Sequence, residues 1–138
     1  MTNDSLARSY LSKARVRIHV LALLTAERAW SDVIREAQEV VELALKALLR
    51  EAGIEPPKWH DVGGFVREHR ERFSPVLQER IERLADISAW LRKEREFSFY
   101  GDVDFIPTSQ YFEADAARAL ADARYVVETV TAEIAGHA

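Results

Sequence analysis

The chain has 138 residues, and its 19 Lys and Arg against 23 Asp and Glu leave a formal net charge of −4 at pH 7. That length is enough for one hydrophobic core without metal or disulfide staples, so a single domain over residues 1–138 is expected. An acidic balance repels a phosphate backbone, which disfavours generic nucleic-acid binding and confines any RNA contact to a local basic patch. Cysteine is absent, which removes disulfides, thiolate nucleophiles and sulfur-ligated metals. No apolar run approaches the roughly 20 residues of a membrane span. The polar start MTNDSLARSYLSKAR fits a cytoplasmic protein with no membrane partner.

In chain order, residues from about Ser5 to Thr25 place Leu6, Tyr10, Ala14, Ile18 and Leu21 at three- and four-residue spacing, which predicts an amphipathic helix with Asn3 or Asp4 as N-cap. A second helix is predicted from Trp30-Ser31, with Val33, Ala37, Val40, Val41, Ala44, Leu45 and Leu48 on one face and a left-handed C-cap at Gly53. The run EPPKWHDVGG stops any helix and demands an ordered turn before a short third helix around Phe65 to Arg72. Ser74-Pro75 reads as N-cap and first helical position of a fourth helix, whose stripe is Leu77, Ile81, Leu84, Ser88 and Leu91. FYGDVDFIPTS reads as a structured loop too irregular for helix. Thr108 or Ser109 is then available to cap a last helix with Leu120, Ala123, Val127, Val130 and Ile134 inward.

No segment alternates with period two and none repeats. The fold class is therefore all-α, an up-and-down antiparallel bundle of four long helices with the short third helix across one end. Pairs such as Glu42 with Lys46 read as ordinary outer-surface chemistry.

Few residues offer chemistry. His60 and Asp61 stand side by side and could act as an acid/base pair, but the simpler role for Asp61 is to cap the short helix while His60 closes the turn. His19, His69 and His137 lack the helical pairing of a ligand set, so no metal and no cofactor are predicted. On the fourth helix the apolar stripe runs on into Arg95, which predicts an inward-facing guanidinium paired with Glu39, Glu42, Asp102 or Asp104. The alternative is an anion or phosphate site made by Arg92, Arg95 and Lys46. Trp30, Trp59 and Trp90 fit core packing or a subunit interface better than nucleotide stacking.

The stretch AQEVVELALKALLREAGIEPPKWHD, with Ala37, Gln38 and Glu39 at its start, Leu45 to Leu48 in its middle and His60-Asp61 at its end, resembles the signature of the HEPN domain, named for higher eukaryotes and prokaryotes nucleotide-binding. The downstream LRKEREFSFYGDVDFIP is similar to a prokaryotic branch of that family, and the resemblance runs from about Ser5 to Ile134. It implies an all-α bundle, commonly a homodimer, often paired with a minimal nucleotidyltransferase in toxin-antitoxin or related systems. Many members are metal-independent ribonucleases, whose motif separates an arginine from a histidine by four to six residues.

No histidine here has an arginine at that separation. The nearest equivalent is Arg95 with Tyr100, and a tyrosine, which ordinarily titrates near pH 10 where histidine titrates at about 6.5, is a poor general base at neutral pH. The expected function is a dimeric nucleotide-binding or nucleotidyltransferase-partner module, with Lys46, Arg92, Arg95, Tyr100, Asp102 and Asp104 around the ligand and the ribonuclease motif degenerate. The alternatives are a ribonuclease toxin, using Arg95 with Tyr100 or His60, and a helical adaptor without a small-molecule site.

Overall fold

The computed structural model describes residues 3–58, 61–99 and 106–136. They form six α-helices: α1 (Asn3–Ala26), α2 (Trp30–Glu51), α3 (Val62–Glu68), α4 (Pro75–Phe99), α5 (Pro107–Gln110) and α6 (Glu113–Ala135), with a 3₁₀ turn at Arg70–Arg72. No strand occurs among the described residues. The all-α bundle is as predicted, with α1, α2, α4 and α6 as its long members.

α2 is the spine. Ala, Val, Leu and Ile recur along it closely enough to cover most of its circumference, and it packs against α1, α3, α4 and α6. Ile34, Ala37, Val40, Val41, Ala44, Leu45, Leu48 and Leu49 are all buried. α4 contributes Leu77, Ile81, Leu84 and Leu91, and α6 contributes Ala116, Ala119, Ala123, Val126 and Val130. The small alanines on α6 let that helix approach α2 closely.

The helix ends combine expected and unexpected devices. Gly53 has φ +76, and the N–H groups of Gly53 and Ile54 reach the carbonyls of Arg50 and Leu49, a Schellman close that places Ile54 in the core. α1 ends in the same way on a non-glycine residue: Arg28 takes φ 60, with Arg28 N–H to the Thr25 carbonyl and Ala29 N–H to that of Leu24. A left-handed residue with a Cβ costs about 1 to 2 kcal/mol, which the two end bonds and the stacking of Arg28 over Trp30, 5.4 Å from the ring centroid, offset. Ser74 Oγ accepts from Leu77 N–H at the start of α4, as the Ser-Pro pair predicts. Glu133, buried near the end of α6, accepts from the Ser74 backbone N–H at 2.9 Å and from its hydroxyl.

Several sequence expectations are corrected. α1 already includes Asn3, so neither Asn3 nor Asp4 stands outside it as a cap. Thr108 and Ser109 belong to the one-turn α5, and α6 starts after Phe112, whose N–H is met by Asp115 Oδ2 at 2.8 Å from within the helix. The stretch expected to be too irregular for helix is partly helical: α4 continues through Phe99, and Pro107 starts α5. Between α5 and α6, the Tyr111 hydroxyl donates to Glu94 Oε2 at 2.7 Å. Burial and that carboxylate push the phenol well above its ordinary range, so it serves as a fixed donor tying the segment to α4.

The turn before α3 shows what the first of the two glycines in HDVGG does. Asp61 Oδ1 accepts from Gly63 N–H at 3.1 Å, capping α3, and from Ser88 Oγ at 3.1 Å, which pins the cap to α4. A Cβ on Gly63 would lie 2.7 Å from Ser88 Cβ and 2.9 Å from Ala85 Cα, whereas one on Gly64 would meet only Asp61, at 3.4 Å or more. Gly63→Ala is therefore expected to destabilise the protein by about 1 to 3 kcal/mol through overpacking. Gly64→Ala should leave it unchanged or slightly raised, and equal melting temperatures for the two variants in thermal unfolding would contradict the close α3–α4 approach.

Candidate functional site

Along α2, polar side chains interrupt the apolar surface in one stripe: Arg35, Gln38, Glu39, Glu42 and Lys46, spaced by three or four residues. Opposite it, α4 presents Ser88, Leu91, Arg92 and Arg95 at the same spacing. Where these two faces part they leave a cleft of about 220 Å³, lined by Gln38, Val41 and Glu42 from α2, Ser88, Leu91, Arg92 and Arg95 from α4, Val62 from α3 and Lys58 from the preceding turn. Three cations thus share its wall with one carboxylate. Val41, Val62 and Leu91 form an apolar floor.

The cations and carboxylates are partly matched to one another. Arg95 donates to Glu39 Oε1 at 2.9 Å, and Arg35 lies 3.5 Å from the same oxygen. Glu42 faces Lys46 at 3.1 Å and accepts from Gln38 Nε2 at 3.1 Å. Burial alone would raise the Glu42 carboxyl, but Lys46, Gln38 and Arg95 outweigh it and hold the group below the usual glutamate value. Glu42 is therefore a carboxylate at neutral pH, and its donors are fixed around it.

The residues singled out in the sequence fall into three groups. Arg92 and Arg95 both reach the cleft, as the anion-site reading requires. Lys46 does not line it and instead neutralises Glu42, so Glu42 and Lys46, both half-buried, form part of the site's support and not of an outer face. Tyr100, Asp102, Asp104, His60 and Trp59 lie outside the described residues. Lys58, which the sequence reading passed over, enters the lining because the Pro56-Pro57 turn carries it back over α2 and α4; two prolines before a capped helix were the available signal. Asp61 is the structural cap that the simpler reading assigned to it.

The inward guanidinium is corrected. Arg95 does continue the α4 stripe and does pair with Glu39, but its side chain is 44% exposed, because the cleft opens at that level and the stripe emerges from the core after Leu91. Trp30 and Trp90 pack on the chain's own core, the latter beneath Arg118 at 3.8 Å from its ring centroid. His19 is exposed on α1 with three residues between it and Arg15, where the ribonuclease motif has four to six between its arginine and histidine. His69 Nδ1 is 2.9 Å from the Phe65 carbonyl and its ring lies on Phe65. No group of three or more His, Asp or Glu among the described residues is arranged to hold a metal ion. No described helix is long and apolar enough to cross a membrane.

The family model for the HEPN domain matches residues 7–134. The chain belongs to the HEPN domain family. No curated protein and no solved structure matches it. Within this HEPN chain the cleft sits between the helix bearing the Ala37-Gln38-Glu39 signature and the helix bearing Arg92 and Arg95, so the two most distinctive stretches of sequence meet across one cavity.

Two outcomes follow from this geometry. Arg95→Met should cost less than about 1 kcal/mol, the scale of an exposed ion pair; a loss of several kcal/mol in chemical denaturation would mean that the guanidinium is shielded from solvent. For Glu42 the folded value lies below the unfolded one, so its stabilising contribution is present above the ordinary value of 4.5 and is lost as pH falls through the lower folded value. Glu42→Gln should accordingly lose less stability than the unmodified protein between about pH 6 and about pH 3, and superimposable acid limbs would contradict the pairing.

Proposed function

We propose that this HEPN protein is a binding member of its family, which takes a nucleotide or a related phosphate-bearing ligand in the cleft between α2 and α4. The observation that carries the reading is the convergence of Lys58, Arg92 and Arg95 on one cavity of an otherwise acidic protein. Arginine side chains one helical turn apart can approach the same phosphate from two sides, and guanidinium groups give paired, charge-assisted hydrogen bonds to phosphate oxygens. Beside the cleft Glu39 pairs with Arg95 and Arg35, and Glu42 pairs with Lys46, so the carboxylates there are themselves matched by cations.

Cleavage of RNA is not part of this reading. Transfer through a 2′-hydroxyl needs a base and an acid that titrate near neutrality. The family's arginine–histidine separation is absent, and Arg95 is followed at that distance by Tyr100, whose phenol is unsuited to the base role. We also propose that the protein acts as a homodimer and as the partner of a minimal nucleotidyltransferase in a toxin-antitoxin-like pair. The HEPN membership supports this, as do two exposed hydrophobics on α1, Val16 and Leu23, each about 60% exposed and two turns apart.

Titration calorimetry with AMP and ATP should detect binding to the purified protein, weakened by about tenfold or more in Arg92→Ala and in Lys58→Ala, as removal of a charge-assisted bond implies. Unstructured RNA should stay intact at neutral pH without metal. Absence of nucleotide binding would overturn the binding role. Robust RNA cleavage that disappears in Arg95→Ala would replace it with a ribonuclease toxin, and a monomer mass by light scattering at micromolar concentration would remove the homodimer.

A further inference from the structure

Charge is unevenly placed along this acidic chain, and α1 is the exception. That helix holds four of the chain's 19 basic residues and one of its 23 acidic residues, so it carries a net +3 and the rest of the chain −7. Its inner side is already matched: α1 packs on α2 and α6, and Arg17 meets Glu36 of α2 at 2.7 Å. Its outer side is not. Val16 and Leu23 are exposed two turns apart on one face, with half-buried Val20 between them. Arg8 and Arg15 border that face on one side and Lys13 on the other. All three are exposed, and none makes an ion pair among the described residues. An aliphatic strip at positions i, i+4 and i+7 with charged edges is the pattern by which one helix seats another.

We propose that the outer face of α1 docks an acidic amphipathic helix of a partner protein, whose aliphatic side chains lie on Val16, Val20 and Leu23 and whose carboxylates meet Arg8, Lys13 and Arg15. The inference deepens the partnership proposed above by naming its surface and the chemistry it takes, and it leaves the homodimer contact to another part of the molecule. Charge decides against a second copy here. A two-fold contact through this face would set two helices of net +3 against each other, and like charges brought together oppose association. A contact between α1 and the acidic remainder of another copy is head-to-tail, which builds rings or filaments and not a two-fold dimer. Nucleic acid fits less well, because the centre of the face is aliphatic and the one aromatic residue of α1, Tyr10, packs on the core and offers no base a stacking surface. Three aliphatic side chains are also little to sink into a bilayer, and the −7 of the remaining chain opposes an anionic one. An acidic helix matches both the strip and its edges. The contact of Arg17 with Glu36 shows the same match within the chain, between α1 and a neighbouring helix.

The test uses a synthetic helical peptide with leucines at heptad a and d spacing and glutamates on both flanks, and a control in which every glutamate is replaced by lysine. In fluorescence anisotropy the unmodified protein should bind the acidic peptide about tenfold or more tightly than the basic one. Two double variants confined to the surface locate the contact. Val16→Ser with Leu23→Ser should weaken the acidic peptide by about tenfold or more, and Arg8→Glu with Arg15→Glu should reverse the preference towards the basic peptide. Equal affinity for the two peptides, or an acidic preference that survives both double variants, would overturn the inference. Light scattering tests the rival occupant: the mass should be the same in the unmodified protein and in Val16→Ser with Leu23→Ser, and a fall from dimer to monomer would make this face the contact between copies. Binding to vesicles of phosphatidylglycerol and phosphatidylcholine that is lost in the charge-reversed variant would assign the face to lipid and overturn the inference as well. The α2–α4 cleft should bind AMP equally in all these proteins. Loss of the peptide contact with AMP binding and the dimer mass intact would therefore sink this inference alone.

Discussion

The constraint from which the rest of this molecule follows is that no residue of α2 is exposed. A helix of this length surrounded on all sides requires neighbours around its whole circumference, which α1, α4, α6 and the short α3 supply. It also leaves the polar side chains on it only partly open to water, which favours partners inside the protein. Arg35, Glu39, Glu42 and Lys46 find such partners through ion pairs, and Gln38 finds one for half of its amide. The polar stripe of α2 is thus concentrated where its coverage is thinnest, and the cleft is that place.

How wide the gap is depends on α3. Asp61 binds both the first turn of α3 and Ser88 of α4, and Gly63 lets the two helices approach to van der Waals contact. This small joint holds Val62 at one side of the cleft and positions the end of the preceding turn, with Lys58, at its rim. The His-Asp pair that looks at first like acid–base chemistry contributes through its aspartate to architecture: it sets the walls between which a ligand would sit.

Much of this was legible in the sequence. The four long helices follow from three- and four-residue apolar spacing, the Ser74-Pro75 start and the Gly53 stop from cap chemistry, and the family from the Ala37 to Asp61 stretch. The end of α1 was not marked, because its left-handed residue is Arg28 and no glycine announces it. The start of α6 was misplaced for a related reason: its cap is a backbone N–H met by Asp115 from inside the helix, so the residue before it can be a phenylalanine. At the candidate site, periodicity placed Arg92 and Arg95 on the correct face but could not say where the core ends along α4, and burial was assigned one turn too far. The partnering of Lys46 with Glu42 was visible as a spacing. Its position beside a cavity was not, because that depends on how far two helices diverge and not on either alone.

The central place of α2 has a consequence for synthesis of the protein. α6 covers one side of α2 but follows it only after the chain from Glu51 to Glu113 has been made. At ordinary elongation rates that interval lasts roughly 3 to 12 s, during which the nascent chain can form α1 and α2 yet must leave Ala, Val and Leu side chains of the spine uncovered. The fold therefore closes last on its own centre.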